Sequence, residues 1–242
     1  MKAVVPAAGE GTRLRPHTDD KPKGLVEIEG RPLLSYVFDR LVDIDVEEIV
    51  VVIGYRGELI RERYGDAYRG TPLTYVTQDR RLGLADAIFR AEEHVDSTFL
   101  VLNGDNVFGS DLGTVVERRD RTDASGAIVV ERASTDAART TGVVVPGVDD
   151  AVERIVEKPD DPPSTLITTG CYVLPPALFE VRDRLEPSGR GEYELADAIG
   201  RLIDAGHRFQ TVRYDGWRVN VNAPEDVERV ERLLESEGWS PH

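Results

Sequence analysis

The sequence predicts a Rossmann-like α/β fold, a three-layer α/β/α sandwich formed by a single domain. Strand-like and helix-like segments alternate through the first half of the chain, as in right-handed βαβ units. The segment 48–54 holds a continuous β-branched run, which is typical of strands buried on both faces of a parallel sheet. The 242 residues, 40% of them hydrophobic, can bury one large core.

The individual elements follow from the spacing of the apolar residues. In 32–42, Leu34, Val37 and Leu41 recur at helical spacing behind a proline, which the first turn of a helix accepts. In 224–237, a proline and acidic residues form the first turn and a glycine follows the end. The other predicted helices are 57–64, 84–94, 111–120, 177–185 and 194–205. The predicted strands are 3–5, 48–54, 73–77, 98–102, 126–131, 142–145, 152–157, 167–174 and 210–214.

The charge of the chain excludes some classes of partner. The chain has 45 acidic and 30 basic residues, and its net charge of −15 argues against nucleic acid and anionic membranes as partners. Lysine occurs at only four positions, so 26 of the 30 basic residues are arginine. We expect such an acidic, lysine-poor chain to be halophilic, working in a salt-rich cytoplasm where salt screens its self-repulsion. The remaining lysines either mark sites that need a compact ammonium group or survive by chance.

The remaining composition predicts a soluble, cytoplasmic protein. The single cysteine, Cys171, excludes an intramolecular disulfide, fits a reducing compartment, and is expected to be a buried strand residue. No segment has the pattern of a signal peptide, and no apolar run is long enough to span a bilayer.

The most informative stretch of the chain is its start. The predicted strand at 3–5 leads into a turn of small residues, AAGEG at 7–11. Glycines allow positive φ and let a ligand approach backbone N–H groups, which in a row form an anion-binding concavity. Arg13, Arg15, Lys21 and Lys23 follow closely, and these cations favour a phosphate as the anion.

The glycines alone fit more than one interpretation. They also fit an ordinary strand–loop connection. The turn is not a Walker A loop, because no Gly-Lys-Ser/Thr follows it. It is not a full dinucleotide fingerprint either, because Leu14 stands at the position of the third glycine.

The longer string, GEGTRLRPHT followed by KPK, is far more specific and strongly resembles the signature of the sugar-1-phosphate nucleotidyltransferases, which make nucleotide sugars. The resemblance covers nearly the whole chain and implies a mixed, mostly parallel sheet. It implies a nucleotide-binding half at about 1–125 and a sugar-binding half at about 126–242, without the C-terminal β-helix of some relatives. The implied partners are a nucleoside triphosphate and a sugar 1-phosphate, with glucose 1-phosphate favoured. Relatives commonly form dimers or tetramers, so a homo-oligomer is expected.

The resemblance also implies roles for the residues of the first stretch. It assigns Arg13 to the β and γ phosphates and Lys23 to the region of the α-phosphate, so that both act in catalysis together with Asp105. The residues that it assigns to nucleotide binding in the turn are Ala7, Ala8, Gly9, Gly11, Thr12 and Arg13.

A second loop, QDRRLGLADA at 78–87, joins a predicted strand to a predicted helix. The amide of Gln78 can offer both a donor and an acceptor to a nucleobase, and the backbone near Gly83 can approach a base closely. Alone, the motif fits a plain loop equally well. In relatives that use UTP or dTTP, a glutamine followed by Gly-Leu-Ala contacts the pyrimidine. The resemblance therefore favours UTP or dTTP over ATP or GTP.

A carboxylate follows another predicted strand, in the stretch LNGDN at 102–106. Asp105 lies where α/β sheets bind ligands and is a hard oxygen donor suited to Mg²⁺, although a turn without metal is the alternative. The resemblance implies that Asp105 and Asn220 hold Mg²⁺. Asn220 replaces an aspartate of many relatives, and Asn222 replaces a glycine. The bacterial N-acetylglucosamine-1-phosphate uridylyltransferases also use an asparagine at the first of these positions.

The second half supplies the residues that the resemblance assigns to the sugar phosphate. Gly142, Glu157 and Gly170 are expected to contact the sugar, with Lys158 and Arg190 at its phosphate. The structural alternative for Glu157 and Lys158 is a surface ion pair, which contributes under about 1 kcal/mol.

Three other functions stay open at the level of the sequence. The sugar could be N-acetylglucosamine 1-phosphate, which Asn220 favours. A glycosyltransferase would share a similar sheet, but it usually has an Asp-x-Asp metal motif where this chain has DNV at 105–107. A non-catalytic nucleotide-sugar-binding subunit would lose the phosphate cations, whereas Arg13 and Lys23 are present.

Overall fold

The computed structural model describes residues 1–120 and 123–238, and residues 121–122 and 239–242 lie outside this description. The strands are β1 (Ala3–Pro6), β2 (Glu27–Ile28), β3 (Arg31–Pro32), β4 (Ile49–Ile53), β5 (Ala67–Tyr68), β6 (Thr71–Thr77), β7 (Phe99–Leu102), β8 (Asn106–Phe108), β9 (Gly126–Arg132), β10 (Gly142–Pro146), β11 (Val152–Glu157), β12 (Leu166–Leu174), β13 (Phe209–Arg213) and β14 (Arg218–Asn220). The α helices are α1 (Leu33–Val42), α2 (Gly57–Tyr64), α3 (Leu84–Phe89), α4 (Gly113–Asp120), α5 (Thr135–Ala138), α6 (Leu195–Asp204) and α7 (Pro224–Ser236).

The chain forms two compact units, each assembled from several segments. The N-terminal unit consists of Lys2–Arg81, Leu102–Leu112 and the segment that begins at Gly216. The central unit consists of Met1, Leu82–Val101 and Gly113–Asp215. The two halves predicted from the sequence, with their boundary near residue 125, stay a prediction.

The N-terminal unit is built on strands in the order β1-β4-β6-β5. β1, β4 and β6 run parallel, and β5 pairs antiparallel with β6. The β-branched run of β4 is buried along its whole length, as predicted for a strand covered on both faces. Val52 pairs with Pro6, so β1 and β4 end together and the loops that follow them lie side by side. These loops begin at Ala7 and Gly54.

A second part of the N-terminal unit is the antiparallel pair of β8 and β14, in which Asn106 lies opposite Asn220. A buried apolar cluster packs this pair against α7; it includes Val107, Val219 and Val230. Burial of this cluster fixes two loops that carry polar side chains, one before β8 and one after β14.

The central unit has a mixed sheet. Its strands follow the order β11-β10-β12-β7, β9 also pairs with β12, and β13 pairs with β9. The β13–β9 pair is parallel, whereas β10 pairs antiparallel with β11 and β12, and β12 pairs antiparallel with β9. The register of β12 against β9 shifts between Thr168 and Tyr172, around Gly170 with a φ of 81°. Such a bulge re-aims the neighbouring side chains.

Most predicted elements occur where the sequence placed them, with differences in the finer geometry. The helix predicted at 84–94 ends at Phe89, and a 3₁₀ turn follows at Glu92–His94, because the next amides bond three residues back instead of four. The helix predicted at 177–185 is a 3₁₀ helix over Pro176–Arg184. The strands β2, β3, β5, β8 and β14 were not predicted, because two or three residues are too few to show an alternating pattern. Within the described residues, no helix has both the length and the apolar character needed to cross a membrane.

Candidate active site

The glycine turn after β1 is held in one conformation by its neighbours. Gly11 has a φ of 70°, and a Cβ there would lie 3.0 Å from both Lys23 Cβ and Thr18 Cγ2. The Thr18 hydroxyl donates to Gly11 O at 2.8 Å. Thr12 begins a 3₁₀ turn, and nothing lies within 4 Å of a Cβ built on Gly9. The turn is therefore rigid at Gly11 and open at Gly9, as a backbone that receives a ligand requires.

Two further glycines, which were not singled out in the sequence, pack closely against the residues of the turn and of the strand before it. A Cβ on Gly54 would lie 2.8 Å from Ala8 Cβ, and one on Gly104 would lie 2.8 Å from Pro6 O. The Gly104 N–H donates to Pro6 O at 3.0 Å. The Ala7 N–H donates to Val52 O, so it continues the sheet. Gly54 directly follows the buried strand β4, and Gly104 lies two residues after the buried strand β7, which is a signal that the sequence does contain.

The acidic side chain within the turn is neutralised. Glu10 accepts from Arg15 Nη2 at 3.1 Å and forms an ion pair with Arg81 Nη1 at 2.9 Å. A carboxylate that is paired with two guanidinium groups opposes an approaching anion less than an unpaired one.

Beside the turn, a buried lysine joins residues that are distant in the sequence. Lys23, only 9% exposed, donates from Nζ to Asp105 Oδ2 at 2.8 Å and to Asn222 Oδ1 at 2.9 Å. The exposed Arg13 donates from Nη2 to the same Asn222 oxygen at 3.0 Å. We call these four residues the cation cluster. It carries two positive charges and one negative charge, so its net charge suits an anion.

Asp105 is held from several sides. Its Oδ1 accepts from Asn106 Nδ2 at 2.9 Å, and its backbone O accepts from Val221 N at 2.8 Å. Asn220, the other predicted metal ligand, ends β14 opposite Asn106 and has an exposed side chain. The structure therefore brings Asn222 into side-chain contact with Lys23 and Arg13, whereas Asn220 shares a strand pair with the residue next to Asp105.

The predicted sugar-phosphate residues of the central unit also come together. Lys158 Nζ lies 3.3 Å from Glu157 Oε1, and Arg190 Nη2 lies 3.9 Å from the same oxygen. Arg190 also donates to Glu194 Oε1 at 2.8 Å, and Glu194, a buried carboxylate, was missed by the sequence analysis. Lys158 has a φ of 43°, a left-handed conformation that is strained for a residue with a side chain. The local structure thus holds Lys158 in a costly conformation beside a paired carboxylate.

Gly142 makes room beside this group. It lies opposite Glu157 in the β10–β11 pair, and a Cβ on it would lie 3.2 Å from Glu157 Oε2 and 3.0 Å from Thr168 Oγ1. Gly170 lies in β12 at the bulge, and the next residue, Cys171, is fully buried as expected. Burial raises the pKa of its thiol to about 12, which keeps it a protonated core residue.

The loop that was predicted to contact a base has a buried amide at one end and a glycine with positive φ near the other, and the base contact stays a prediction. Gln78 is buried directly after β6, and its backbone N–H donates to Ile53 O at 2.8 Å. In the central unit, Gly83 has a φ of 103°, and a Cβ there would lie 2.6 Å from Tyr193 O. The close approach that Gly83 permits is therefore made by the backbone of Tyr193.

Nearly the whole chain matches a known protein family. Residues 2–239 match the family described as Nucleotidyl transferase. The chain belongs to this family. The family that the signature predicted is thereby confirmed.

Two relatives align with nearly the whole of this nucleotidyl transferase, which covers different shares of their own lengths. It is 46% identical over 237 residues to the UTP–glucose-1-phosphate uridylyltransferase AglF of Haloferax volcanii, over 98% of each chain. It is 31% identical to the bifunctional protein GlmU of Methanococcus maripaludis, over 94% of this chain and 53% of that protein. The chain therefore spans about half the length of the second relative.

A solved structure supports the predicted fold class of this nucleotidyl transferase. The UDP-glucose pyrophosphorylase from Acinetobacter baumannii superposes with a TM-score of 0.85 at 26% identity, over 98% of this chain and 93% of that one. The predicted α/β fold with a mixed, mostly parallel sheet is confirmed.

One carboxylate of this nucleotidyl transferase gives a testable pH dependence. The pKa of Glu157 is raised, first because burial disfavours its charged form and also because Glu194 adds negative charge, while Lys158 and Arg190 oppose the shift. The folded state therefore keeps a proton that the unfolded chain releases at its ordinary pKa of about 4.3. This contribution to stability is present below that pH and is lost as the pH rises through the folded pKa.

We expect Glu157→Gln to gain stability relative to the wild type as the pH rises from about 4.5 to about 8. The measurement is the difference in unfolding temperature between the two proteins across that range. Glu153→Gln, the same exchange at an exposed position of the same strand, is the matched control for the loss of a surface carboxylate. A variant that instead loses stability relative to the wild type with rising pH would contradict the assigned direction.

Proposed function

We propose that this enzyme transfers a uridylyl group from UTP to glucose 1-phosphate and releases pyrophosphate. The observation that carries the proposal is the cation cluster, in which buried Lys23 and exposed Arg13 converge beside Asp105. The 46% identity to AglF over nearly the whole of both chains supports UTP and glucose 1-phosphate as the substrates.

The chemistry asks the protein for positioning and charge neutralisation. A phosphate oxygen of the sugar 1-phosphate attacks the α-phosphorus, the bond from that phosphorus to the bridging oxygen breaks, and pyrophosphate leaves with the electron pair. Both reactants are polyanions, so cations that hold them lower the barrier. In the proposal Arg13 holds the β and γ phosphates, Lys23 holds the α-phosphate region, and Lys158 with Arg190 holds the sugar phosphate.

The proposal includes Mg²⁺, and the donor set beside Lys23 fits this ion. Asp105 has one N–H donor on each carboxylate oxygen, and each oxygen has two lone pairs, so one on each stays open to a cation. In the turn before Asp105, Asn103 Oδ1 is buried and has no hydrogen-bond partner among the described residues. Mg²⁺ commonly takes one or two carboxylates and completes its shell with water and substrate phosphates. Asp105 and Asn220 would hold it, and it would supply charge stabilisation at the reacting phosphates.

We infer that the base is a pyrimidine. Gln78 is buried, and a buried amide that hydrogen-bonds a base selects strongly against bases with the wrong edge. UTP is favoured over dTTP by the identity to AglF. The Asn220 position keeps N-acetylglucosamine 1-phosphate as the second candidate for the sugar.

We further propose that the enzyme works in a salt-rich cytoplasm. The support is its net charge of −15 and its near-replacement of lysine by arginine. At high ionic strength the Debye length falls to about 3 Å, so the repulsion between surface carboxylates is screened. The proposed homo-oligomer is a separate expectation, which sedimentation in the same salt would measure.

The deciding experiment is a substrate grid, read as pyrophosphate release with Mg²⁺ in high salt. UTP, dTTP, ATP, CTP and GTP are each combined with glucose, N-acetylglucosamine and mannose 1-phosphates. We expect the largest signal with UTP and glucose 1-phosphate, and weak signals with both purine nucleotides. If pyrophosphate release is largest with N-acetylglucosamine 1-phosphate, this sugar phosphate is the substrate instead of glucose 1-phosphate. If no combination releases pyrophosphate while a nucleotide sugar still binds in a calorimeter, the protein is a non-catalytic binding subunit and the proposed activity is wrong.

A further inference from the structure

We propose that Asn222 is a positioning residue, which gathers Arg13 and Lys23 on one oxygen and presents both cations to the triphosphate of the substrate. The proposal rests on the proposed function, since it concerns how the same cluster receives a nucleoside triphosphate. In the sequence, Asn222 stands out only as a departure from the glycine of many relatives. The structure assigns it a role.

The geometry of one oxygen carries this inference. Asn222 Oδ1 accepts from Lys23 Nζ at 2.9 Å and from Arg13 Nη2 at 3.0 Å. A single oxygen at hydrogen-bond distance from both an ammonium and a guanidinium fixes where these two cations meet. Within the described residues, the hydrogen bond that Arg13 donates goes to Asn222. Arg13 is exposed, so without this contact its long side chain would sample many rotamers.

Asn222 is itself held in place. Its backbone N–H donates to Asp226 Oδ2 at 2.8 Å, and the Ala223 N–H donates to the same oxygen at 2.9 Å. These bonds form the cap at the start of α7, so they tie Asn222 to a helix that packs in the core of the N-terminal unit. The amide oxygen is thus presented by a fixed backbone.

The contact leaves the cations able to bind a substrate. An ammonium group has three donors, and the described contacts of Lys23 Nζ use two of them, on Asp105 and Asn222. A guanidinium has five donors, and the described contact of Arg13 uses one. The remaining donors can reach phosphate oxygens while Asn222 keeps its two contacts. Asn222 therefore orients the cations and does not need to leave when the triphosphate arrives.

The neutrality of the amide is part of the proposal. With Asn222, the cation cluster carries two positive charges against the single carboxylate of Asp105. An aspartate at this position would reach the same two donors and cancel the remaining positive charge, so a phosphate would have to compete with a charge-assisted pair. An alanine would keep the net charge but would no longer gather the cations.

The test compares Asn222→Asp and Asn222→Ala with the wild type, using inorganic tripolyphosphate as the probe. Binding is measured by calorimetry with a chelator present, so that base, sugar and metal make no contribution. We expect roughly tenfold or greater weakening for Asn222→Asp and a smaller, several-fold weakening for Asn222→Ala. Gln210→Glu, the same amide-to-acid exchange in β13 of the central unit, is the matched control and should bind the probe as the wild type does. Thermal unfolding shows that each variant is folded.

A second readout separates positioning from a merely structural role. In steady state we expect the KM for UTP to rise several-fold in Asn222→Ala, while the KM for glucose 1-phosphate stays unchanged. Tripolyphosphate affinity that is unchanged in both variants, or tighter in Asn222→Ala, would overturn the proposal. Suppose that the wild type releases no pyrophosphate although tripolyphosphate affinity still falls from the wild type to Asn222→Ala and then to Asn222→Asp. In that case the proposed function fails while the role of Asn222 in anion binding stands.

Discussion

Replacing Lys23 by arginine is expected to lower turnover by about 10²–10³-fold although the positive charge is kept. The ammonium is buried, and Nζ lies 2.8 Å from Asp105 Oδ2 and 2.9 Å from Asn222 Oδ1. Its stem is enclosed as well, because a Cβ on Gly11 would already lie 3.0 Å from Lys23 Cβ. A planar guanidinium is larger than an ammonium and cannot take this place without moving its neighbours. The measurement is pyrophosphate release at saturating UTP and glucose 1-phosphate.

The matched control is the same exchange at another ion-paired lysine. Lys2 Nζ lies 2.8 Å from Glu48 Oε2, and its side chain is 30% exposed. Lys2→Arg is expected to keep wild-type turnover, since this partly exposed pair lies outside the cation cluster and an arginine can also pair with Glu48. Equal turnover in Lys23→Arg and the wild type would contradict the role of a compact ammonium at this position. The comparison of the two variants also tests the idea that lysines remain in this arginine-rich chain where arginine does not fit.

Local patterns in the sequence were sufficient to predict most of the fold. α2 begins and ends at the predicted residues 57 and 64, and the glycine that follows it, Gly65, ends the helix with a φ of 62°. The β-branched run of β4 was placed within one residue at each end. Such segments are determined by their own residues and their burial, so a single sequence carries enough information.

The contacts within the candidate site could not be predicted in the same way. Lys23 lies 82 residues from Asp105 and 199 residues from Asn222, and the pairing of β8 with β14 brings the last two together. Those strands are only three residues long, which is too short for an alternation of apolar and polar residues to predict them. The family signature identified Lys23 and Asp105, but Asn222 departs from the family pattern and its contact with Lys23 required the structure.

Glycines show the same limit. The sequence explained Gly83 by the approach of a base, whereas the backbone of Tyr193 occupies the space that a Cβ would need. Gly54 and Gly104 were not singled out, and both support the glycine turn after β1 by close packing against Ala8 and Pro6. A glycine in a sequence indicates a close approach or a positive φ, but it does not indicate which neighbour makes the approach.

Replacing Asp105 by asparagine is expected to lower turnover by about 10³-fold while the protein stays folded. The two side chains have the same shape, so the hydrogen bond of Val221 N to the backbone of residue 105 is kept. What is lost is the negative charge that faces Lys23 Nζ at 2.8 Å and the carboxylate proposed to hold Mg²⁺. The measurement is pyrophosphate release over a titration of Mg²⁺, in which added metal is not expected to restore the rate.

The binding of UTP without metal separates this role from a loss of structure. Removing the carboxylate raises the net positive charge of the cation cluster, so UTP in the presence of a chelator should bind Asp105→Asn at least as tightly as the wild type. Asp43→Asn, at an exposed carboxylate that pairs with Arg40 at 3.2 Å, is the control and should change neither quantity. Weaker UTP binding together with lost turnover would mean that Asp105 acts by holding Lys23 in place. Tighter or equal binding with lost turnover means that the carboxylate acts on the reaction itself, because the variant then binds its substrate and fails only in the chemical step.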